Sequence, residues 1–271
     1  MPASRSARRA VEPQRRPRRW PVLLLLVLAG IAALTAAVFF VLPASTMGRF
    51  LPAQIHAEDF SGSLVHGAAG KLSVNAHDAG AVEWRLHPLS LLRLAVVADI
   101  HWVKVGFVID GTVDLGRSGV AAQNIKGGGP IHDLADLGVA AGWQGSLSLN
   151  FAQLKSDFRK LDSATGQIEV AALSADNIAQ GSDLGSYKLQ LGSGAIAPDG
   201  TITATLNDTG GPLEAQAEIR FSPVTRTGML SGTLKERPEA SPALHDQLAG
   251  ISQLRPRDAS GRIPVELEFT L

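Results

Sequence analysis

Three features of this 271-residue chain predict an all-β exported domain, a curved antiparallel sheet with few short helices, behind one N-terminal transmembrane helix. Apolar and polar residues alternate at period two along much of the chain after Pro43, as in strands with one buried and one wet face. Of the glycines, all but Gly30 lie beyond Pro43. They make up about 12 per cent of that part of the chain against a typical value of about 7, which implies many turns. Finally, Val22 to Leu42 is an unbroken run without a charge.

From Met1 to Trp20 the chain holds seven arginines against the single acid Glu12, a local balance of +6. Everything after Trp20 balances to −6, so the zero net charge of the chain is a cancellation between two regions. Within Val22 to Leu42, two-thirds of the side chains are Val, Leu, Ile or Phe. At about 1.5 Å per residue the run spans roughly 31 Å, matching a hydrocarbon core of about 30 Å. About −0.4 kcal/mol for each strong apolar residue gives an insertion free energy on the order of −5 kcal/mol. Trp20 stands at the entry and Pro43 at the exit.

A cleaved signal peptide would have a shorter apolar region and a small-x-small site, and Leu42-Pro43-Ala44 is a poor match to one. The run is also too hydrophobic for a twin-arginine signal, although Arg18-Arg19 abuts it. Arg15, Arg16, Arg18 and Arg19 therefore read as topogenic charges. By the positive-inside rule they hold residues 1–21 in the cytoplasm as a basic tail, residues 22–42 span the membrane, and residues 43–271 form the exported domain. A nucleic-acid patch is the less economical account of the same arginines.

Leu213 to Ser222 is the clearest strand, with Leu213, Ala215, Ala217, Ile219 and Phe221 on one face and Glu214, Gln216, Glu218 and Arg220 on the other. Ile263 to Leu271 and Ile202 to Leu206 repeat the pattern. Weaker strands are expected at Gly70 to Ala76, Ala81 to Leu86, Ser146 to Phe151, Gln167 to Ala171, Tyr187 to Leu191 and Gly228 to Leu234. Between Ala95 and Ile109 the parity changes at Trp102-Val103, which reads as a β-bulge. Ser241-Pro242 supplies an N-cap and a first-turn proline for a helix with Leu244, Leu248 and Ile251 on one face, stopped by Pro256. Pro130 to Leu137, ended by Gly138, reads as a second short helix, and Gly127-Gly128-Gly129 as a flexible loop.

No cysteine is present, which excludes a disulfide framework, a thiolate metal site and a thiol nucleophile. There is no G-x-S-x-G turn, and the phosphate loop fails at Gly70-Lys71, where Val65 replaces the first glycine and Leu72 follows the lysine. His56, His66, His77, His87 and His101 recur at spacings of 10, 11, 10 and 14 without a chelating pair, and read as scattered surface residues. No catalytic, cofactor or metal residue is nominated, and the domain reads as a binding or assembly module.

Four stretches carry a family resemblance. Phe60-Ser61-Gly62-Ser63-Leu64-Val65-His66-Gly67 resembles the G-T-[LV]-W-x-G turn of type II secretion system protein N. Trp84-Arg85-Leu86-His87-Pro88-Leu89-Ser90-Leu91-Leu92 resembles that family's W-x-L-x-P-x-x-L-L segment. Leu184-Gly185-Ser186-Tyr187 resembles its L-G-x-Y element, and Asp208-Thr209-Gly210-Gly211-Pro212-Leu213 its D-x-G-G-P-L element. The residues carried over are Gly62, Gly67, Trp84, Pro88, Gly185, Gly210, Gly211 and Pro212, read as structural: glycines for tight turns or close strand approach, tryptophan for the core.

The resemblance implies a non-enzymatic accessory component in the inner membrane of a Gram-negative cell, with a periplasmic domain. It implies contact with other type II secretion components, such as the clamp protein and the secretin, and no nucleic acid. The alternative is an AsmA-like, membrane-anchored lipid-binding or lipid-transfer protein. Such a carrier needs a continuous, unfilled apolar face, whereas a scaffold needs a filled core and a sticky edge.

Overall fold

The computed structural model describes residues 41–49, 51, 54–75, 77–137, 139, 141–157, 161–192, 196, 200–222, 225 and 227–270. The arginines expected in the cytoplasm, Val22 and nearly all of the expected transmembrane segment lie outside them. Among the described residues, no helix is long and apolar enough to cross a membrane.

One open antiparallel sheet of thirteen strands holds the chain, each strand beside its neighbour in sequence. The strands are β1 (Ile55–Gly62), β2 (His66–Val74), β3 (His77–Leu86), β4 (Val96–Lys104), β5 (Phe107–Gly116), β6 (Gly119–Pro130) and β7 (Trp143–Ser156). They continue with β8 (Leu161–Ala175), β9 (Ile178–Leu191), β10 (Ile202–Gly210), β11 (Leu213–Ser222), β12 (Thr227–Glu236) and β13 (Ile263–Thr270). Most connections are short, and a tight turn can join only adjacent strands of opposite direction; the longer links from β3 to β4, β6 to β7, β9 to β10 and β12 to β13 also return to the adjacent strand. β-Bulges interrupt several pairs, including β5 with β6 and β7 with β8.

The expected strand Leu213–Ser222 has the observed bounds of β11. Two readings are corrected. The parity change after Trp102 is a hairpin rather than a bulge: Lys104 pairs with Phe107 across Val105-Gly106, so β4 and β5 are separate strands. A two-residue turn reverses parity just as an inserted residue would, so alternation alone does not separate the two.

Gly127-Gly128-Gly129 is not a loop but the body of β6, paired with β5 on one side and β7 on the other. A Cβ at Gly128 would lie 2.6 Å from the Leu147 carbonyl oxygen, and one at Gly129 2.7 Å from the Phe107 Cα. Here glycine permits close strand approach.

The helix capped by Ser241 is present as α1 (Pro242–Leu254), with the Ser241 hydroxyl oxygen accepting from the Leu244 amide at 3.2 Å. It buries Leu244 and Leu248 against Ala179, Leu184, Tyr187, Ala215 and Ile263. The second short helix, expected over Pro130 to Leu137, is present as a 3-10 helix, Ile131–Leu137. A second apolar cluster joins Ala44, Ala69 and Trp84 at the other end of the sheet, with Phe60, Val82 and Ile100 packed on it.

Candidate functional site: an apolar face spanning the sheet

Strand register shows what alternation within one strand cannot. Residues directly opposite one another share a face, so a row can be followed from edge to edge. One row runs through Phe60, Ala69, Val82, Trp102, Ile109 and Gly127 from β1 to β6. It continues through Leu149, Ile168, Leu189, Leu206, Ala217, Gly232 and Val265 from β7 to β13. Every member is apolar or glycine. At about 4.8 Å between strands the row is roughly 55–60 Å long.

The adjacent row on the opposite face runs through Glu83, His101, Asp110, Lys126, Asn150, Gln167, Gln190, Thr205, Glu218, Ser231 and Glu266 from β3 to β13. Each of these is polar. The sheet is thus two-faced from β3 to β13.

The apolar face is unevenly covered. α1 lies over its C-terminal part, and between helix and sheet is a cavity of about 430 Å³ lined by Trp143, Leu173, Tyr187, Leu206, Leu234 and Leu248 among others. The cluster around Trp84 fills the N-terminal part. Between them Leu149, Ile168 and Leu189 belong to neither cluster and are partly exposed. Covering what remains exposed would gain part of the about 1.5–3 kcal/mol that full burial of such a side chain is worth, so this middle stretch is a surface that favours an apolar partner.

Two glycine-lined corners flank the face. In the first, the Trp84 indole N–H donates to the Leu64 carbonyl at 2.9 Å, the ring packs edge-on against Phe60, and a Cβ at Gly67 would lie 2.6 Å from it. Gly62 ends β1 at the same hairpin, where the Ser63 amide donates to the His66 carbonyl. In the second corner, Gly185 and Gly211 meet backbone to backbone.

The Tyr187 hydroxyl of that second corner lies 2.6 Å from the Leu184 carbonyl oxygen and 3.1 Å from that of Leu213. Burial, together with the charges of Asp208 and Asp183, raises its pKa far above the ordinary tyrosine value. Arg237 closes the corner. Its guanidinium donates to Asp208 at 2.6 Å and to the Gly211 carbonyl at 2.7 Å, and its amide donates to the Pro212 carbonyl at 2.8 Å.

The polar face carries His66, His87 and His101. His87 pairs with Asp99 at 2.8 Å and His101 with Asp110 at 2.6 Å, beside a shallow cleft of about 350 Å³ that His66 also lines. Hydrogen bonds from His87 and Thr112 hold the Asp99 carboxyl below the usual carboxylate range. Among the described residues, no three His, Asp or Glu side chains converge as a metal site would require.

A family model, type II secretion system (T2SS), protein N, matches residues 53–266. The chain belongs to this family. No curated protein and no solved structure matches it. The match runs from just before β1 into β13, so it covers the protein N sheet.

Of the residues carried over from the family motifs, the structure brings Gly62, Gly67 and Trp84 together in the first corner, and Gly185, Gly210, Gly211 and Pro212 in the second. Strands β4 to β8 separate the corners. Pro88 joins neither, because it opens an exposed 3-10 turn. Sequence reading missed the continuous apolar row. Its signal, alternation, is present in the stronger strands such as β11, but alignment between strands is not a local property.

Proposed function

We propose that this chain is an anchored accessory component of the type II secretion system. It supports export of folded proteins from the periplasm across the outer membrane, and it acts by binding and assembly rather than by catalysis. Residues 22–42 hold it in the inner membrane, residues 1–21 remain in the cytoplasm, and residues 43–271 stand in the periplasm, where they meet other apparatus parts such as the clamp protein and the secretin. The observation that carries this reading is the family match across residues 53–266.

Deletion of the gene is expected to leave secreted enzymes stranded in the periplasm, measured as the ratio of cargo in the periplasm to cargo in the medium. Normal secretion combined with altered outer-membrane lipid would replace the proposal with a lipid-handling role. That second reading has its own support in the apolar row through all thirteen strands and the cavity beneath α1. Photoreactive fatty-acyl probes applied to intact cells address it directly: adducts on residues such as Leu149 or Leu189 support acyl binding.

The charge split makes a separate prediction. A reporter fused after Leu271 should be active in its periplasmic form, and activity only in the cytoplasmic form would overturn the N-in topology.

A further inference from the structure

The turn that opens at Pro88 joins β3 to β4 as a 3-10 segment, Pro88–Arg93, and it presents leucines to solvent. Leu89 is 77 % exposed, Leu92 83 % and Leu94 65 %. These side chains have not merely frayed outward from the sheet, because the turn is tied down. The Ser90 hydroxyl donates to the His87 carbonyl at 2.6 Å and accepts from the Val97 amide at 3.2 Å. Leu94 is held at φ 55, a conformation leucine rarely adopts. A short, firmly hydrogen-bonded turn that displays three leucines to water is displaying them to something.

Its place in the fold identifies the partner. The Leu64 amide donates to the Leu42 carbonyl at 2.8 Å, and Pro43 bridges to Ser63. On the neighbouring strand the Leu86 amide donates to the Val65 carbonyl at 2.7 Å, and the His87 amide donates to the Val97 carbonyl at 2.8 Å. Leu42, Leu64–Val65 and Leu86–His87 therefore lie side by side at one end of the sheet, each about 5 Å from the next. Leu42 is the last residue of the uncharged apolar run, and Pro88 follows His87 directly. The leucine turn is held at the end of the sheet from which the apolar run departs. Neither Pro88–Arg93 nor the Ala44–Arg49 turn after Pro43 contains an acid, and each contributes one arginine, suited to anionic headgroups.

We propose that the Pro88–Leu94 turn dips into the outer leaflet of the membrane that anchors the chain, as a second, monotopic contact with phospholipid. It seats this end of the sheet on the bilayer. The inference rests on the anchor proposed above.

The cysteine-free chain permits a direct test. Full-length Leu92→Cys, Val105→Cys and Leu34→Cys variants are each labelled with one environment-sensitive fluorophore. They are reconstituted in phosphatidylethanolamine vesicles containing phosphatidylglycerol, with or without a lipid-borne quencher. Val105 is the control, being 79 % exposed and apolar but in the turn at the opposite end of β4, about 30 Å away. Leu34 reports the anchor.

The expected result is quenching severalfold stronger at position 92 than at 105, approaching that at 34. If 34 is quenched while 92 behaves like 105, the dipping turn is wrong and the anchor stands. If 92 is quenched and 34 is not, the turn meets lipid and the anchor reading falls. A probe at 92 that is shielded from aqueous iodide yet untouched by the lipid quencher would mean that protein covers the turn, and would also overturn the proposal.

Discussion

Replacing Gly211 with valine is expected to lower the thermal unfolding midpoint by on the order of 10 °C, from the strain, clash and size scaling that follow. Gly211 has φ +114, and an added Cβ would collide with the Gly185 Cα and lie 3.2 Å from the Gly185 nitrogen. Gly185 cannot retreat, since it has φ +116 and its own Cβ position is 2.7 Å from the Gly210 carbonyl oxygen. Valine therefore incurs a strained backbone, about 1–3 kcal/mol, and a backbone clash of overpacking size, about 1–3 kcal/mol. For a domain of this length each kcal/mol moves the midpoint by about 2–4 °C.

Gly250 supplies the control. It lies inside α1, has no atom within 4 Å of an added Cβ and no positive φ. Gly250→Ala should stabilise by about 0.5–1 kcal/mol through helix propensity. Circular dichroism melts of the full chain in detergent measure both, and an unchanged midpoint for Gly211→Val would exclude the close approach of the two backbones.

Trp84→Ala should cost about 3–5 kcal/mol, the usual loss for a large aromatic in a core. The side chain is 7 % exposed and packs with Phe60, Ala69 and Ala44. Trp84→Phe keeps most of the packing but leaves the Leu64 carbonyl without the indole N–H, a smaller loss of about 1 kcal/mol. The damage should be local first. Hydrogen exchange at the Leu64 and Leu86 amides, which tie Leu42 and Val65 to this corner, should accelerate in Trp84→Ala before the C-terminal cluster around Leu244 responds. Uniform acceleration across both clusters would show that they open as one unit.

How legible each strand is in the sequence follows from its chemistry. β11 and β13 alternate apolar and polar residues cleanly, and local periodicity is enough to find them. β1, with sequence IHAEDFSG, buries little and has no such signal. β6 is hidden by its glycines, which read as a loop until the close approach of β5 and β7 is known. In the second motif Trp84 is buried while Leu92 is exposed, because hydrophobicity alone does not say on which side of a turn a residue falls.

By itself the sequence determined the all-β class, the strong strands, the capped helix and the family, since alternation, caps and motif order are properties of residues close together in the chain. Only the tertiary structure decided register, and with it three non-local facts. Residues of the four motifs gather into two corners, thirteen apolar or glycine positions align as one row from Phe60 to Val265, and the leucine turn lies at the end of the sheet that holds Leu42. Register depends on which residues face one another across hydrogen-bonded neighbours, and a shift of one position would turn every side chain of a strand to the other face.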